Sequence, residues 1–344
     1  MLDYTFSTDA AAPVCKEIID RMREVNEGAL VGYFEDCYTK KVREIMSSYF
    51  TKPVGIYFCT SGTASNTLAI KFMKNNCSSI ITTKYAHSVH YEVGAIEYNT
   101  GCKLVECYPD DGKITTKMIE EHLKSRNNFN WAYPDVVMIT QTTEFGTCYT
   151  IEELKNICDF CHKHGLYVYI DGARLANAME YLNCGFKEIL EETGVDIASF
   201  GGNKNGAMFG EMLIILNPQF DKHIILQQKQ SLQLFSKSRF MAVQFLALLE
   251  NELWRTNARQ SNRMARLLEE KMKAVGFDSV YKVESNCVFF NFSKEMVEYI
   301  KQKYKLSSYE DQKFTRIATS WYTNEKDVYA FVDYIQKFDL KKRK

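Results

Sequence analysis

Proline and glycine are scarce in this chain, five and seventeen among 344 residues. No repeat and no low-complexity segment accompanies them, which excludes repeat arrays and compositionally biased architectures. An excess of charge is also missing. Lys plus Arg equals Asp plus Glu at 43 each, which argues against the basic patch or stripe that nucleic acid demands. The one dense basic run, Lys341-Lys342-Arg343-Lys344, reads as a solvated, frayed tail rather than an address or a nucleic-acid signal. Long apolar runs are absent too. The longest, Phe240 to Leu249, is interrupted by Gln244 and is too short to span a bilayer. Met1-Leu2-Asp3-Tyr4-Thr5 lacks the basic start and apolar stretch of a secretory signal. The expectation is a soluble, cytoplasmic protein with no membrane and no nucleic-acid partner.

Cysteine is present, eleven in number, but scattered and odd, without the framework of a disulfide scaffold. In a reducing compartment such residues are mostly small buried hydrophobes. Cys158-Asp159-Phe160-Cys161-His162 matches a haem-attachment pattern and contains a redox or zinc pair. Its surroundings favour an amphipathic helix. Thr150 and Glu153 form a capping box, Ile151, Leu154, Ile157, Cys158 and Cys161 recur at helical spacing, and Gly165 supplies the stop.

Length suits one large domain and a smaller one. Helices are expected at Cys15 to Asn26 and after an Asp36 cap. Strands then alternate with helices: strands at Val54 to Cys59, Ser79 to Thr83, Lys103 to Tyr108, Val136 to Gln141, Leu166 to Ile170, Ile197 to Phe200 and Met212 to Leu216. Helices fall at Thr63 to Asn75, His87 to Asn99 and Thr116 to Ser125. This alternation predicts a mainly parallel, seven-stranded, doubly wound sheet. After Pro218 a long helical region runs to about Val275, broken once or twice. A smaller α/β unit follows, with strands near Ser279 to Val283, Val288 to Phe292 and Thr315 to Thr319, and helices at Lys294 to Lys305 and Glu325 to Phe338. The expected division is 1–250, including the N-terminal segment, and 251–344.

Three strand-to-loop junctions carry candidate chemistry, since open α/β sheets bind ligands at the carboxyl ends of their strands. Cys59-Thr60-Ser61-Gly62-Thr63-Ala64-Ser65-Asn66 turns a strand into a helix. Free amides there, with the Ser61 and Thr63 hydroxyls, make either a phosphate cradle or an ordinary helix cap. Asp171-Gly172-Ala173-Arg174 follows a strand directly. It is a surface ion pair, or a carboxylate for a protonated ring nitrogen with a cation for an anionic group. At about 4 Å and an effective dielectric of about 20 the first attraction is roughly 4 kcal/mol, enough to hold a pyridine ring protonated at neutral pH. Lys204 sits in Gly201-Gly202-Asn203-Lys204-Asn205-Gly206, and is either an anion clamp or an amine nucleophile. Cradle, aspartate and lysine, in that order, are what pyridoxal 5′-phosphate requires.

On these residues the chain resembles the pyridoxal-phosphate fold type I enzymes, and within them the L-threonine aldolase and β-eliminating lyase group. The resemblance runs nearly end to end. It extends through Ala86-His87 with Glu92 and Gly94-Ala95, through Gln141-Thr142-Thr143-Glu144 with Gly146-Thr147, and through Arg316 with Thr319-Ser320-Trp321. It implies the fold type I architecture, a large domain plus a smaller C-terminal one. It implies Lys204 as the Schiff-base lysine and Asp171 as partner of the pyridine nitrogen. Ser61, Gly62 and Thr63 would hold the phosphate. His87, otherwise a helix-start histidine, would stack on the ring and act in proton transfer. Thr8, Arg174 and Arg316 would bind the substrate carboxylate, where a planar guanidinium fits bidentately. Tyr33 would reach a neighbouring subunit's site, and so would Lys229 or Lys237 unless they are a solvated helix face. A homodimer or homotetramer follows.

Two departures stand out. Asn203 replaces the threonine usual before the lysine, and Thr143 stands where another branch has histidine. The base for a substrate hydroxyl is therefore open among His87, His90 and a water held by Glu144 or Thr142. The expected activity is cleavage of L-threonine or a related L-3-hydroxy amino acid to glycine and an aldehyde. The alternatives are β-elimination or transamination by the same cofactor, a redox or haem protein built on Cys158 and Cys161, and an inactive binding module. No metal is expected.

Overall fold

The structure is a computed structural model that describes residues 2–75, 78–306 and 314–342. Seven strands form the main sheet: β1 (Gly55–Cys59), β2 (Ser78–Thr83), β3 (Lys103–Cys107), β4 (Tyr133–Thr140), β5 (Tyr167–Asp171), β6 (Ile197–Gly201) and β7 (Glu211–Ile215), in the order β1-β7-β6-β5-β4-β2-β3. Six run parallel. Only β7 is antiparallel, to both β1 and β6. The reason is length, because parallel strands need a crossover of a dozen or more residues. The link from Gly201 to Glu211 is too short for that, so the chain turns back in a hairpin, and Lys204 lies in its turn.

The interior strands are buried on both faces, as crossover helices require. Alternate residues divide between two cores. Val137, Ile139, Val168, Ile170 and Phe200 face one, while Val136, Met138, Tyr169 and Ile197 face the other. The first is reinforced by an aromatic chain in which Phe186 and Phe200 both pack on Trp254. The helix Ile151–Lys163 begins with the expected capping box of Thr150 and Glu153. Cys158 and Cys161 are buried in the first core, and burial pushes both thiols well up. His162 points elsewhere, its Nε2 lying 3.0 Å from Asp196 Oδ2.

Some expected elements differ. The helix anticipated over His87 to Asn99 is two short ones, His87–His90 and Ala95–Thr100. Val93 and Gly94 between them adopt positive φ, which no helix tolerates. The region after Pro218 is broken at 231–238 and again at a kink over 250–252, giving Ile224–Gln230, Arg239–Leu249 and Leu253–Ala274. The strand expected near Ser279 to Val283 is reduced to a single bridge, Ser279 to Phe290. A second sheet pairs β8 (Cys287–Phe290) antiparallel with β9 (Thr315–Ala318). It packs with the helices Lys294–Ile300 and Glu325–Lys342 around a core of its own. Phe6 belongs to that core, so the N-terminal segment runs beneath the C-terminal unit on its way to the main sheet. Of the C-terminal basic run, Arg343 and Lys344 lie outside the described residues. Among the described residues no helix is long and apolar enough to cross a membrane.

Candidate active site

The carboxyl ends of β2, β4, β5 and β6 open onto one cavity of about 410 Å³. It is lined by Thr8, Gly62, Thr63, His87, Asp171, Arg174, Lys204 and Arg316, residues separated by up to three hundred positions in sequence. Ser61, Tyr33 and Lys229 stand outside it. The Ser61 hydroxyl caps the helix Gly62–Met73, accepting the Ala64 amide at 3.2 Å. Tyr33 lies on the surface with the Lys229 ammonium 5.1 Å from its ring centroid.

Lys204 owes its place to glycines. Gly206 has φ +97°, and a Cβ there would meet Cys15 Sγ at 2.2 Å. A Cβ on Gly201 would meet the Ala173 carbonyl oxygen at 2.3 Å. Only glycine allows such an approach. Burial pushes the Lys204 amine below its ordinary pKa and Arg174 adds to this, against Asp9, Asp171 and Glu211. A neutral amine is the nucleophilic form. Glu211, at the start of β7, is buried in the same wall, and burial raises its carboxyl to about 8 despite the pull of Lys204.

Asp171 ends β5 and is 4% exposed. Its Oδ1 accepts the Ala173 amide at 3.0 Å and its Oδ2 accepts Asn66 Nδ2 at 3.1 Å. Asn66 also donates to Glu92 Oε1 at 2.8 Å and accepts the Tyr169 hydroxyl at 2.7 Å. Glu92 Oε1 in turn lies 2.9 Å from His87 Nδ1. A carboxylate only accepts, so Nδ1 carries the hydrogen and Nε2 remains available. The buried network thus orients Asp171 and His87 together.

Arg174 is held by Asp9. Its Nε and Nη2 donate to the two carboxylate oxygens at 2.6 and 2.9 Å, and Asn286 donates to the same carboxylate at 3.0 Å. Burial alone would raise the Asp9 pKa; the Arg174 and Lys204 cations outweigh it and hold the carboxyl well below the usual range. Arg316, on β9, reaches the cavity from the second sheet, with Nη2 3.5 Å from the Ser7 carbonyl oxygen.

The loop 140–147 closes another side. The Thr143 hydroxyl is engaged with Thr147 at 2.7 Å and with the Phe145 amide at 3.2 Å, inside the loop. Thr142 and Glu144 line the cavity instead. Neither His90 nor Thr143 belongs to the lining. Asp9, Asn66, Tyr91, Glu211 and Asn286 are the residues that sequence reasoning missed as site components. Asp9 finds Arg174 across 165 positions, and no local pattern signals that. Asn66 carried no distinct signal, since it lies between Ser65 and Thr67 in a helix whose buried residues are partly polar.

The fold defines the class first. The chain has the architecture of the fold type I pyridoxal-phosphate enzymes. It superposes on threonine aldolase from Leishmania major with a TM-score of 0.91 at 30% identity, covering 97% of this chain and 99% of that one. A NifS-like protein, at 17% identity and a TM-score of 0.69, shares the fold alone. The family is narrower: the chain belongs to the β-eliminating lyase family, whose model matches residues 5–295. Low specificity L-threonine aldolase of Pseudomonas aeruginosa is 33% identical over 329 residues, 94% of this chain and 95% of that protein.

Proposed function

We propose that the chain is a pyridoxal-phosphate lyase that cleaves L-threonine, or a related L-3-hydroxy amino acid, to glycine and an aldehyde. The carrying observation is a lysine and a buried aspartate lining one cavity with two arginines. The named relatives agree with this reading.

The cavity suits the cofactor. Beside the helix N-terminus at Gly62 and Thr63 there is room: a Cβ built on Gly62 meets no atom within 4 Å. Backbone amides and the helix dipole favour a phosphate there. Asp171, held by Asn66, would meet the ring nitrogen, and Lys204 the carbonyl carbon. Held there, pyridoxal phosphate would supply an electron sink for the pair left when a bond to Cα breaks. Arg174 and Arg316 would hold the substrate carboxylate beside Thr8 and so orient the substrate's Cα bonds. His87, steered by Glu92, would shield the site from water. Lys204 would supply the amine that carries the cofactor.

Tyr33 and Lys229 are proposed to act on a neighbouring subunit's site in a cytoplasmic homo-oligomer. The exposure of Leu30, Val31, Leu226 and Leu232 on the segments that carry them supports an interface.

The test uses purified protein loaded with pyridoxal phosphate. Aldehyde is measured across a panel of 3-hydroxy amino acids, beside ammonia and keto acid. Aldehyde and glycine in equal amounts are expected, and Lys204→Ala should lose both turnover and the visible absorption. Ammonia or keto acid as the main product would refute the assignment.

A further inference from the structure

The cavity holds a carboxyl group that the scheme above does not use. Glu144 follows β4 in the loop that closes the site. Its Oε1 is fixed, accepting the Thr140 hydroxyl at 2.9 Å and the His87 amide at 3.1 Å. Its Oε2 is out of solvent reach and has no hydrogen-bond partner. Leaving a carboxylate oxygen unsatisfied carries a desolvation cost, which a substrate donor would relieve once the carboxylate turns this oxygen toward the cavity that Glu144 lines.

The sheet order places this oxygen. Asp171 ends β5. Lys204 follows β6 on one side of it, while Glu144 follows β4 and His87 follows β2 on the other. Thr140 and Asp171 are register partners, so Glu144 stands next to the strand end that anchors the ring. A substrate joined where Lys204 stands meets Glu144 from across the Asp171 position. Two other candidates for a hydroxyl proton are poorer: His90 is outside the cavity, and the threonines carry no basic group, with Thr143 bonded within its own loop. His87 keeps Nε2 free while Nδ1 is tied to Glu92, so it is the rival that the pH profiles separate. Glu211 lies on the Lys204 side, on β7.

We infer that Glu144 is the base that takes the β-hydroxyl proton of the substrate, an assignment that rests on the aldol-cleavage reading. The step balances. The O–H bond breaks and its proton passes to Glu144, the oxygen pair becomes the second bond of the departing aldehyde, and the Cα–Cβ pair stays on the carbon that becomes glycine, which takes up a proton from solvent; pyridoxal phosphate would supply the sink for that pair. Burial raises the Glu144 pKa, opposed by the Thr140 hydrogen bond, and the nearby Asp171 charge raises it further. A base titrating closer to working pH is the more effective one. The titratable groups acting on it are Asp171 and Tyr149, while His87 meets it through its backbone amide.

The experiment pairs two reactions of the loaded enzyme across pH 5–9. One is cleavage of L-threonine. The other is exchange of the glycine α-hydrogen in D₂O followed by proton NMR, which needs the lysine and the arginines but no hydroxyl base. Glu144→Gln keeps an oxygen acceptor for Thr140 and for the His87 amide. It should lower kcat for cleavage by roughly 10²–10⁴-fold, leave KM within a few-fold, and abolish the acid limb of the cleavage profile. Glycine exchange, and the rise in melting temperature on adding glycine, should persist. Equal loss of cleavage and exchange, or an acid limb retained in Glu144→Gln and lost in His87→Asn, overturns the inference. Should Glu144→Gln not fold, the wild-type profiles decide: cleavage must show an acid limb that exchange lacks. If the wild-type enzyme exchanges glycine but cleaves no 3-hydroxy amino acid, the aldolase reading fails rather than the residue assignment.

Discussion

Replacing Asp9 by asparagine removes the partner that holds Arg174, and the structure sets the size of the effect. Two charge-assisted hydrogen bonds, at 2.6 and 2.9 Å, join them, and Asn286 supplies a third contact to the carboxylate. A hydrogen bond to a charged group contributes about 1.5–3 kcal/mol, and a neutral one about 0.5–1.5. Asparagine keeps one acceptor oxygen but turns an NH₂ group toward the guanidinium. Breaking a buried ion pair by removing one member costs about 3–5 kcal/mol. Asp9→Asn should therefore lower the free energy of unfolding by about 3 kcal/mol or more, read as a lower urea midpoint at unchanged m. Arg174 would also lose its fixed orientation toward a substrate carboxylate. Losing about 1.5–3 kcal/mol there lowers kcat/KM for L-threonine by about 10- to 150-fold, at about 1.4 kcal/mol per decade. The pH dependence has a definite sign. The folded-state pKa of Asp9 is held below its unfolded value, so its stabilisation is present above the unfolded pKa and lost only as pH falls through the folded one. The gap between wild type and variant should be flat from pH 5 to 8. Wild-type midpoint and wild-type kcat/KM in Asp9→Asn would refute the claim that this carboxylate holds the arginine.

Gly206→Ala should cost about 1–3 kcal/mol from the left-handed backbone alone, and more from the contact with Cys15 Sγ; calorimetry and the visible cofactor band together read the displacement of Lys204. His162 titrates above its ordinary value, chiefly through its hydrogen bond to Asp196. Its stabilisation is full below the unfolded pKa and lost as pH rises through the folded one. His162→Ala should consequently lower the urea midpoint more at pH 5.5 than at pH 8.5, and an equal loss at both would remove the electrostatic account.

What the sequence made legible was local. The capping box at Thr150, the strands ending at Asp171 and at Gly201, and the glycines around Lys204 each state their geometry within a few residues. The direction of β7 was legible in principle, since a link of nine residues cannot cross over, but a strand's apolar pattern is the same in either direction. The break at Val93 was not, because a β-branched residue with positive φ contradicts its own propensity. The gathering of the site was legible only through resemblance. Asp9 with Arg174, and Arg316 reaching from the second sheet, are products of packing between distant segments, and periodicity is silent about them.

The route of the N-terminal segment has an operational consequence. Phe6 anchors it in the C-terminal core, its carbonyl accepting the Ala318 amide. Asp9 then clasps Arg174, and the Cys15 amide reaches the Gly206 carbonyl beside the lysine turn. One short stretch of chain thus ties the second sheet, the arginine and the lysine turn to one another. Slackening of the small unit would be transmitted to Arg174, Arg316 and Lys204 at once, before the main sheet lost any of its own contacts. Turnover should then fail earlier on heating than bulk helix content does, making activity a gauge of how firmly the two units are seated.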